Sequence, residues 1–319
     1  MDINEDELLV AIRRVLSSTD ADVIVPVGDD AAVVSAGVGD LVLTTDALVE
    51  GTHFDRATST AHDVGSKAIA VNVSDIAAMA ASPRYALCAL TLSEDVDAAW
   101  TMELFGGMRE ACEEFGAILV GGNVARGAAV SVVVALTGEV ATGRAVTRAG
   151  AGPGDIVTVT GSLGGAAAGL RLAKEALKGA WTDEVRDAIR RQQHPTPRVG
   201  EAQVLARHGA TAMIDVSDGL ALDLARMCDA SGVGVRLNLS DVPVHPAAAE
   251  GEALGGGEDY ELLATMPSAA AAADAAAEVR ELFGVPLTTI GTIVVNGLEV
   301  IDAAGRSRPL ERRGWDHFA

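Results

Sequence analysis

The chain has 319 residues, a length that suits two domains of ordinary size better than one. Apolar residues make up 49% and charged residues 22%, so the composition argues against a disordered chain and supplies enough apolar side chains for real cores. Acidic residues outnumber basic ones 45 to 24, and the formal charge of −21 makes nucleic acid and anionic membranes poor default partners.

The first half of the sequence alternates between helical and strand patterns. Apolar spacing, β-branched runs and glycine breaks define these segments. They predict a helix over 6–17, a strand, acidic turn and strand over 23–34, a strand over 41–45 that ends at Asp46, a helix over 61–81, a strand over 87–92, a helix over 95–115, a strand over 118–120 that runs into Gly121-Gly122-Asn123, and a strand over 130–140.

The second half begins near Gly150 and is also mixed. Its patterns predict strands over 156–160, 211–214, 233–239, 261–266 and 287–301, a glycine-rich segment at 161–165, a loop at 215–219, and helices over 184–191, 199–208, 220–231 and 268–283. Because strands and helices alternate irregularly in both halves, we predict two α+β domains, 1–145 and 146–319.

The cysteines and the N-terminus bear on the cellular compartment. Cys88, Cys112 and Cys228 are odd in number and lack CxxC spacing, so a disulfide framework or a zinc site is not expected. The first seven residues are acidic and resemble no signal peptide, and no apolar run approaches the length needed to span a membrane. We expect a cytoplasmic protein, whose charge reflects either an ordinary acidic surface or adaptation to high salt.

Common nucleotide-binding motifs are absent from the sequence. The three lysines follow Ser66, Ala173 and Leu177, so there is no Gly-Lys-Ser/Thr of a P-loop. An HRD loop, a complete GxGxxG and a GxSxG elbow are missing too. These observations argue against the familiar kinase and dinucleotide folds.

Acidic residues beside small residues are the main chemical signal in the sequence. They are Asp29, Asp30, Asp46, Asp75, Asp215 and Asp218, with nearby hydroxyl groups on Thr44, Thr45 and Ser217. Carboxylate and hydroxyl oxygens suit hard cations such as Mg²⁺, which proteins usually hold together with substrate phosphates. Each Asp taken alone could equally form a turn or cap a helix. Together they predict a site for phosphates and several metal ions.

Other candidate residues have two interpretations each. His53 lies in a loop after Asp46 and could contact substrate, or could be an ordinary surface histidine. Arg126 and Arg148 could clamp phosphate or form surface ion pairs. The segment 161–165 could cradle a phosphate before a helix, or could be a tight turn.

Seven segments, taken together and in order, resemble thiamine-monophosphate kinases, a family of the aminoimidazole ribonucleotide synthetase superfamily. The match runs from about Gly28 to Phe318, nearly the whole chain, and the segments that carry it are Val27-Gly-Asp-Asp-Ala31, Thr45–Phe54, Lys67–Met79, Arg148-Ala-Gly150, Ile214–Leu220, Gly256–Leu262 and Gly314–Phe318. The last two segments are more specific to the kinases than the others. The resemblance implies the two-domain fold of that superfamily, with N-terminal domains paired in a homodimer and ATP near the interface.

The resemblance also implies an activity and roles for individual residues. The activity is transfer of the γ-phosphoryl group of ATP to thiamine monophosphate, the last step in making thiamine diphosphate, with several Mg²⁺ ions and in some relatives K⁺. Metal ligands would be Asp30, Thr44, Thr45, Asp46, Asp75 and Asp215, with Asp218 at a further ion and Asp29 beside them; catalysis would depend on Asp30, Asp46, Asp75 and Asp215. ATP would face Gly121, Gly122, Asn123, Arg148 and Ser217, and the thiamine part would face His53, Glu258 and Trp315.

One position departs from the family pattern. Asn123 stands where the family usually has a metal-binding Asp, so we expect weaker affinity for one Mg²⁺ because the amide lacks the full negative charge. Two other interpretations stay open. One is another enzyme of the superfamily, against which Gly256–Leu262 and Gly314–Phe318 argue; the other is a non-catalytic nucleotide- or metal-binding protein, against which the intact aspartates argue.

Overall fold

The structure is a computed structural model that describes residues 5–16, 20–25, 33–34, 36–175 and 181–315. The chain divides into two compact units. Unit 1 comprises Met1–Ile76 and Ala81–Arg144, and unit 2 comprises Ala77–Ala80 and Ala145–Ala319.

Unit 1 is built on a four-stranded sheet with helices. The helices are α1 (Glu5–Val15), α2 (Ala61–Ala78, whose last residues belong to unit 2) and α3 (Ala98–Phe115). The strands are β1 (Val23–Val25), β2 (Val33–Val34), β3 (Asp40–Val49), β4 (Ser82–Leu92), β5 (Ile118–Arg126) and β6 (Ser131–Val140). β1 and β2 form a small antiparallel pair, and the larger sheet has the order β3-β6-β4-β5, in which only β4 and β5 run parallel.

The two faces of this larger sheet differ in burial. Side chains alternate between the faces along each strand, so one face carries the buried Leu48 and Leu136. Ile76 of α2 packs on that face, where Gly138 leaves room because a Cβ there would lie 2.5 Å from the Ile76 side chain. The opposite face, which we call the open face, carries Leu41 and Leu43, which are 65% and 69% exposed.

Unit 2 contains a seven-stranded sheet and six helices in its described part. The strands are β7 (Ile156–Thr160), β8 (Ala212–Asp215), β9 (Gly234–Asn238), β10 (Leu262–Met266), β11 (Leu287–Val294), β12 (Leu298–Ile301) and β13 (Ser307–Pro309), in the order β13-β12-β9-β11-β7-β10-β8. The helices are α4 (Gly165–Glu175), α5 (Asp183–Gln193), α6 (Val199–Arg207), α7 (Leu220–Ser231), α8 (Glu250–Gly255) and α9 (Ala269–Phe283). Only β9 and β12 pair in parallel.

Two apolar clusters hold unit 2 together. One gathers side chains of the sheet and α7, among them Val159 and Leu224, and the other gathers side chains near α6 and α9, among them Leu205 and Met266. Burial of such side chains contributes roughly 25 cal/mol for each Å² removed from water. Among the described helices, none has the length and apolar character needed to cross a membrane.

Several boundaries differ from the prediction. The predicted strand end at Asp46 is wrong, because β3 continues to Val49 and pairs with β6 along its whole length. Likewise β5 continues through Gly121-Gly122-Asn123 to Arg126 because β4 pairs with it. The predicted strand over 287–301 is two strands, β11 and β12, separated by a turn that includes Gly297 with a φ of 90°.

Candidate active site

Three of the predicted metal ligands meet in unit 1. The Thr44 hydroxyl on β3 donates a hydrogen bond to the carboxylate of Asp75 on α2. Asp46 follows two residues after Thr44, so its side chain leaves the same face of the strand about 7 Å further along. Asp46 is exposed and Asp75 is partly buried. This edge of the sheet therefore presents two carboxylates and a hydroxyl, all hard oxygen donors suited to Mg²⁺.

Two other predicted ligands lie on the open face instead. The Thr45 hydroxyl donates to the backbone oxygen of Val134 at 3.0 Å. Asn123 on β5 is exposed and pairs with Ala89 of β4. β5 is the edge strand on the opposite side of the sheet from β3. Three strand spacings separate those edges by about 14 Å. Since Mg²⁺ binds its ligands at about 2 Å, Asn123 and Asp46 of one chain do not meet at one ion.

The loop that carries His53 is held by a buried lysine. His53 Nδ1 accepts the backbone N–H of Val49 at 3.1 Å, which leaves Nε2 as the protonated nitrogen of the neutral ring. The Lys67 ammonium donates to the His53 carbonyl at 3.3 Å, and Lys67 is only 2% exposed. Sequence reasoning missed this contact, although a lysine directly before the apolar run Ala68–Val71 is a signal that its charge serves a specific partner.

Three predicted residues or segments lie outside the described part of the chain. These are Asp29, Asp30 and the residues after Trp315 in the C-terminal segment. Gly121 and Gly122 are described, and both belong to β5 rather than to a loop.

In unit 2 the loop 215–219, which contains the predicted ATP-facing Ser217, contacts the predicted thiamine-facing residues Glu258 and Trp315. Asp215 ends β8 and is buried. The carbonyl of Ser217 accepts the backbone N–H of Glu258 at 2.7 Å, and the carbonyl of Asp218 accepts that of Trp315 at 2.9 Å. Residues far apart in the sequence, with separately predicted roles, therefore surround one short loop.

Two residues that the sequence analysis missed shape this loop. The carboxylate of Asp223, in the first turn of α7, accepts the N–H groups of Asp218 and Gly219, each at 3.0 Å. Arg226 donates to the carboxylates of both Asp218 and Asp223. Burial raises the pKa of Asp223, which has no exposed surface. The available signal was Asp223 itself, an aspartate in the first turn of a predicted helix, where its carboxylate can accept backbone N–H groups at the start of that helix.

The glycine-rich segment 161–165 is a tight turn that binds a carboxylate of the protein itself. Gly164 N–H and Ala166 N–H, at the start of α4, donate to the two oxygens of the Asp259 carboxylate at 2.6 and 3.1 Å. Burial raises the pKa of Asp259 to about 7, although both hydrogen bonds oppose that rise. Since a carboxylate already accepts these N–H groups, the turn interpretation fits better than the phosphate cradle.

A buried ion pair lies beneath the same turn. Glu261 has a side chain only 1% exposed, and both of its oxygens accept hydrogen bonds from Arg198 at 2.7 Å. The Thr160 hydroxyl donates to Glu261 at 2.7 Å and accepts the Leu262 N–H at 2.8 Å. Burial opposes the charge on Arg198, but Glu261 outweighs it and raises the Arg198 pKa. This network fixes the start of β10.

The two candidate phosphate clamps are both exposed. Arg126 is the last residue of β5. Arg148 lies in the segment leading to β7, where its carbonyl accepts the Ser231 hydroxyl at 3.2 Å. Neither side chain is buried, so both could reach a ligand in solvent.

Comparisons with known proteins cover nearly the whole chain. Residues 28–140 match the family model of the AIR synthase related protein, N-terminal domain, and residues 152–303 match that of its C-terminal domain. The thiamine-monophosphate kinase of Escherichia coli (strain K12) is 39% identical over 317 residues, covering 96% of this chain and 95% of the relative.

Two solved structures are similar in sequence and in fold. The crystal structure of thiamine-monophosphate kinase from Stenotrophomonas maltophilia K279a matches with a TM-score of 0.83 and 34% identity, over 94% of this chain and 97% of the other. A structure described as AaThiL complexed with AMPPCP and TMP matches with a TM-score of 0.77 and 33% identity, over 100% and 99% of the two chains.

Proposed function

Because this chain belongs to the thiamine-monophosphate kinase family of the AIR synthase related proteins, we propose that it phosphorylates thiamine monophosphate with ATP to give thiamine diphosphate. The observation that carries the proposal is the loop 215–219, whose carbonyl groups bind both Glu258 and Trp315. The related structure that contains an ATP analogue and TMP supports the same pair of substrates.

The proposed chemistry suits a site rich in carboxylates. The acceptor is a phosphate monoester with a second pKa of about 6, so it is largely deprotonated near neutral pH. No side chain has to remove its proton, and the main barrier is repulsion between two anions that must align. We therefore propose direct in-line transfer without a phosphorylated enzyme. A phosphorylated protein trapped during turnover would contradict this mechanism.

Divalent metal ions fit the oxygen donors of unit 1. Thr44, Asp46 and Asp75 supply hard ligands on one face, and the Asn72 side-chain oxygen, one turn before Asp75, is buried and accepts no hydrogen bond from a described residue. When bound, Mg²⁺ would neutralise phosphate charge and align the reacting groups. Asp46, Asp75 and Asp215 would hold these ions, and the resemblance adds Asp29, Asp30, Thr45, Asp218 and a K⁺ site to the proposal.

The remaining residues would bind the two substrates. Ser217, Arg148 and the segment Gly121-Gly122-Asn123 would face ATP, where the guanidinium of Arg148 can pair two phosphate oxygens. His53, Glu258 and Trp315 would face the thiamine part. His53 and Glu258 each have their backbone fixed by a hydrogen bond, to Lys67 and Ser217 respectively.

Replacing Trp315 by alanine should raise the KM for thiamine monophosphate about tenfold. Trp315 is 50% exposed, and its indole can stack on the cationic thiazolium, an interaction of about 1–2 kcal/mol. The KM for ATP should change less than twofold. Trp181→Ala, which removes another half-exposed tryptophan, is the matched control. Equal rises in both KM values for the Trp315 variant would indicate a packing role instead.

Replacing Asn123 by aspartate should lower the Mg²⁺ concentration that gives half the maximal rate, by roughly fivefold. The added negative charge would strengthen one metal site by about 1 kcal/mol. Asn296→Asp adds the same charge at an exposed turn of unit 2 and should leave the Mg²⁺ dependence unchanged. An Asn123→Asp enzyme with the wild-type Mg²⁺ dependence would remove Asn123 from the proposed metal site.

The open face is the proposed contact of a homodimer. Leu41, Leu43 and Leu87 are between 48% and 69% exposed there and form an apolar surface patch of the kind that marks an interaction site. A second copy is the occupant that we propose, because Thr45 and Asn123 on this face would then lie at the interface, as the family resemblance implies. The molecular mass from analytical ultracentrifugation tests this, and a single-chain mass at assay concentration would contradict it.

The direct test is formation of thiamine diphosphate from thiamine monophosphate and Mg-ATP, at low and at multimolar KCl. Product at either salt concentration supports the kinase. Product only at high salt would also attribute the charge of −21 to adaptation to salt. If ATP binds and no product forms at any salt concentration, the proposed activity is wrong and a different acceptor must be sought.

A further inference from the structure

The loop between α8 and β10, residues 256–261, contains two residues in an unfavourable backbone conformation. Glu258 has a φ of 70° and Tyr260 a φ of 50°. In the described part of the chain, Ala80 is the one other non-glycine residue with a positive φ. Residues with a Cβ adopt this conformation only where surrounding contacts hold them in it. The shape of the 256–261 loop therefore depends on contacts from other segments.

One set of contacts comes from Val216 and Ser217 of the loop 215–219. The N–H groups of Glu258 and Tyr260 donate to the carbonyls of Ser217 and Val216, at 2.7 and 2.9 Å. Val216 in turn donates to the carbonyl of Glu261 at 2.8 Å. These bonds extend the pairing of β8 and β10 beyond the ends of both strands, and bring the backbone of Glu258 against Ser217.

The second set of contacts comes from Asp259, which lies between the two left-handed residues. Its carboxylate accepts the N–H groups of Gly164 and Ala166, more than 90 residues earlier in the chain. The 256–261 loop is thus fixed by main-chain bonds to Val216 and Ser217, and by two side chains: Asp259, bound to the start of α4, and Glu261 at its end, bound to Arg198. Of these two side chains, Asp259 lies beside Glu258, so removing its carboxylate would free Glu258 to relax toward a negative φ.

We propose that Asp259 is a positioning residue for thiamine monophosphate, whose carboxylate holds Glu258 beside Ser217 by binding the first turn of α4. The proposal rests on the proposed function, in which Glu258 contacts the thiamine part. The competing interpretation is that Asp259 only caps α4. Ser268 provides the comparison, because its hydroxyl caps α9 by accepting the Ala271 N–H at 3.1 Å, and both residues lie outside the 256–261 loop.

Steady-state kinetics separate the two interpretations. Asp259→Ala should raise the KM for thiamine monophosphate about tenfold, while kcat and the KM for ATP stay within twofold of wild type. Asp259→Asn keeps one acceptor oxygen and should give an intermediate KM, and it replaces the alanine variant if that variant fails to fold. Ser268→Ala should change neither KM. Unchanged KM values in the Asp259 variants, or equal rises for both substrates, would overturn the proposal.

Amide hydrogen exchange gives a readout that does not need turnover. The N–H groups of Glu258 and Tyr260 should exchange at least tenfold faster in Asp259→Asn than in wild type, and at the wild-type rate in Ser268→Ala. Unchanged exchange in Asp259→Asn would overturn the positioning role even in an active enzyme. A wild-type enzyme that forms no thiamine diphosphate would refute the proposed function, and the exchange rates would still decide whether Asp259 holds the loop.

Discussion

Replacing Asp46 by asparagine should reduce the rate of thiamine diphosphate formation about a thousandfold. Asparagine keeps the size of the side chain and one oxygen but removes the charge with which Asp46 would hold a divalent metal ion. A loss of about 4 kcal/mol in transition-state stabilisation corresponds to that factor, and is within the range that metal-ion catalysis supplies. Asp46 is exposed and asparagine has nearly the same shape, so the fold should be unaffected.

Asp40 provides the matched control for this experiment. It lies on the same strand, β3, six residues before Asp46, and its carboxylate accepts the Gly143 N–H at 2.7 Å. Asp40→Asn removes the same charge about 20 Å from Asp46 and should leave kcat within twofold of wild type. Product is quantified by chromatography at saturating substrates. If Asp46→Asn retains half of the wild-type rate, Asp46 is not part of the catalytic site.

Replacing Glu261 by glutamine should cost unit 2 about 3–5 kcal/mol of stability. The side chain is 1% exposed and is bound by both Arg198 and Thr160, so the variant removes the bidentate counter-charge of a largely buried guanidinium and leaves it with Glu201 at the longer distance of 3.6 Å. For a unit of this size, the expected fall in Tm is about 10 °C. Differential scanning calorimetry would measure it.

Two further variants decide whether the loss comes from the buried charge. Glu299→Gln makes the same replacement at an exposed pair with Arg236 in the same sheet, and should cost less than about 1 kcal/mol. Arg198 also pairs with the buried Glu201 at 3.6 Å, so the triple variant Arg198→Met/Glu201→Leu/Glu261→Leu should recover much of the stability because none of these buried charges is left without its partner. Equal Tm values for Glu261→Gln and Glu299→Gln would show that the buried pair has no special role.

Local pattern predicted most elements of the fold. The strand at 156–160 is confirmed to the residue, and the helices at 199–208 and 268–283 to within one residue at either end. The errors occur where a partner strand decides the outcome. Asp, Gly and Asn are typical of turns, yet the chain continues as strand at Asp46 because β6 pairs with it, and at Gly121–Asn123 because β4 pairs with that segment. Register with a distant strand is not visible in a local sequence window.

The candidate site was predictable in composition but not in arrangement. Carboxylates beside small residues indicated Asp46, Asp75 and Asp215, and these remain the proposed metal ligands. The sequence could not indicate that Asp259 binds α4, or that Lys67 binds the carbonyl of His53, because each contact joins segments that come together only after folding. The same limit applies to the two faces of the unit 1 sheet, which separate Thr45 and Asn123 from Asp46.

The neighbouring segments contact the loop 215–219 through its main chain, whereas its proposed chemistry depends on its side chains. Glu258 and Trp315 bind the main-chain carbonyls of Ser217 and Asp218, which every amino acid possesses. The side chain at 217 can therefore be exchanged while the three segments stay in register, whereas that of Asp218 is also bound by Arg226. Such a scaffold lets a single substitution change a binding surface, and a saturation library at codon 217 would be a practical starting point for redesigning specificity.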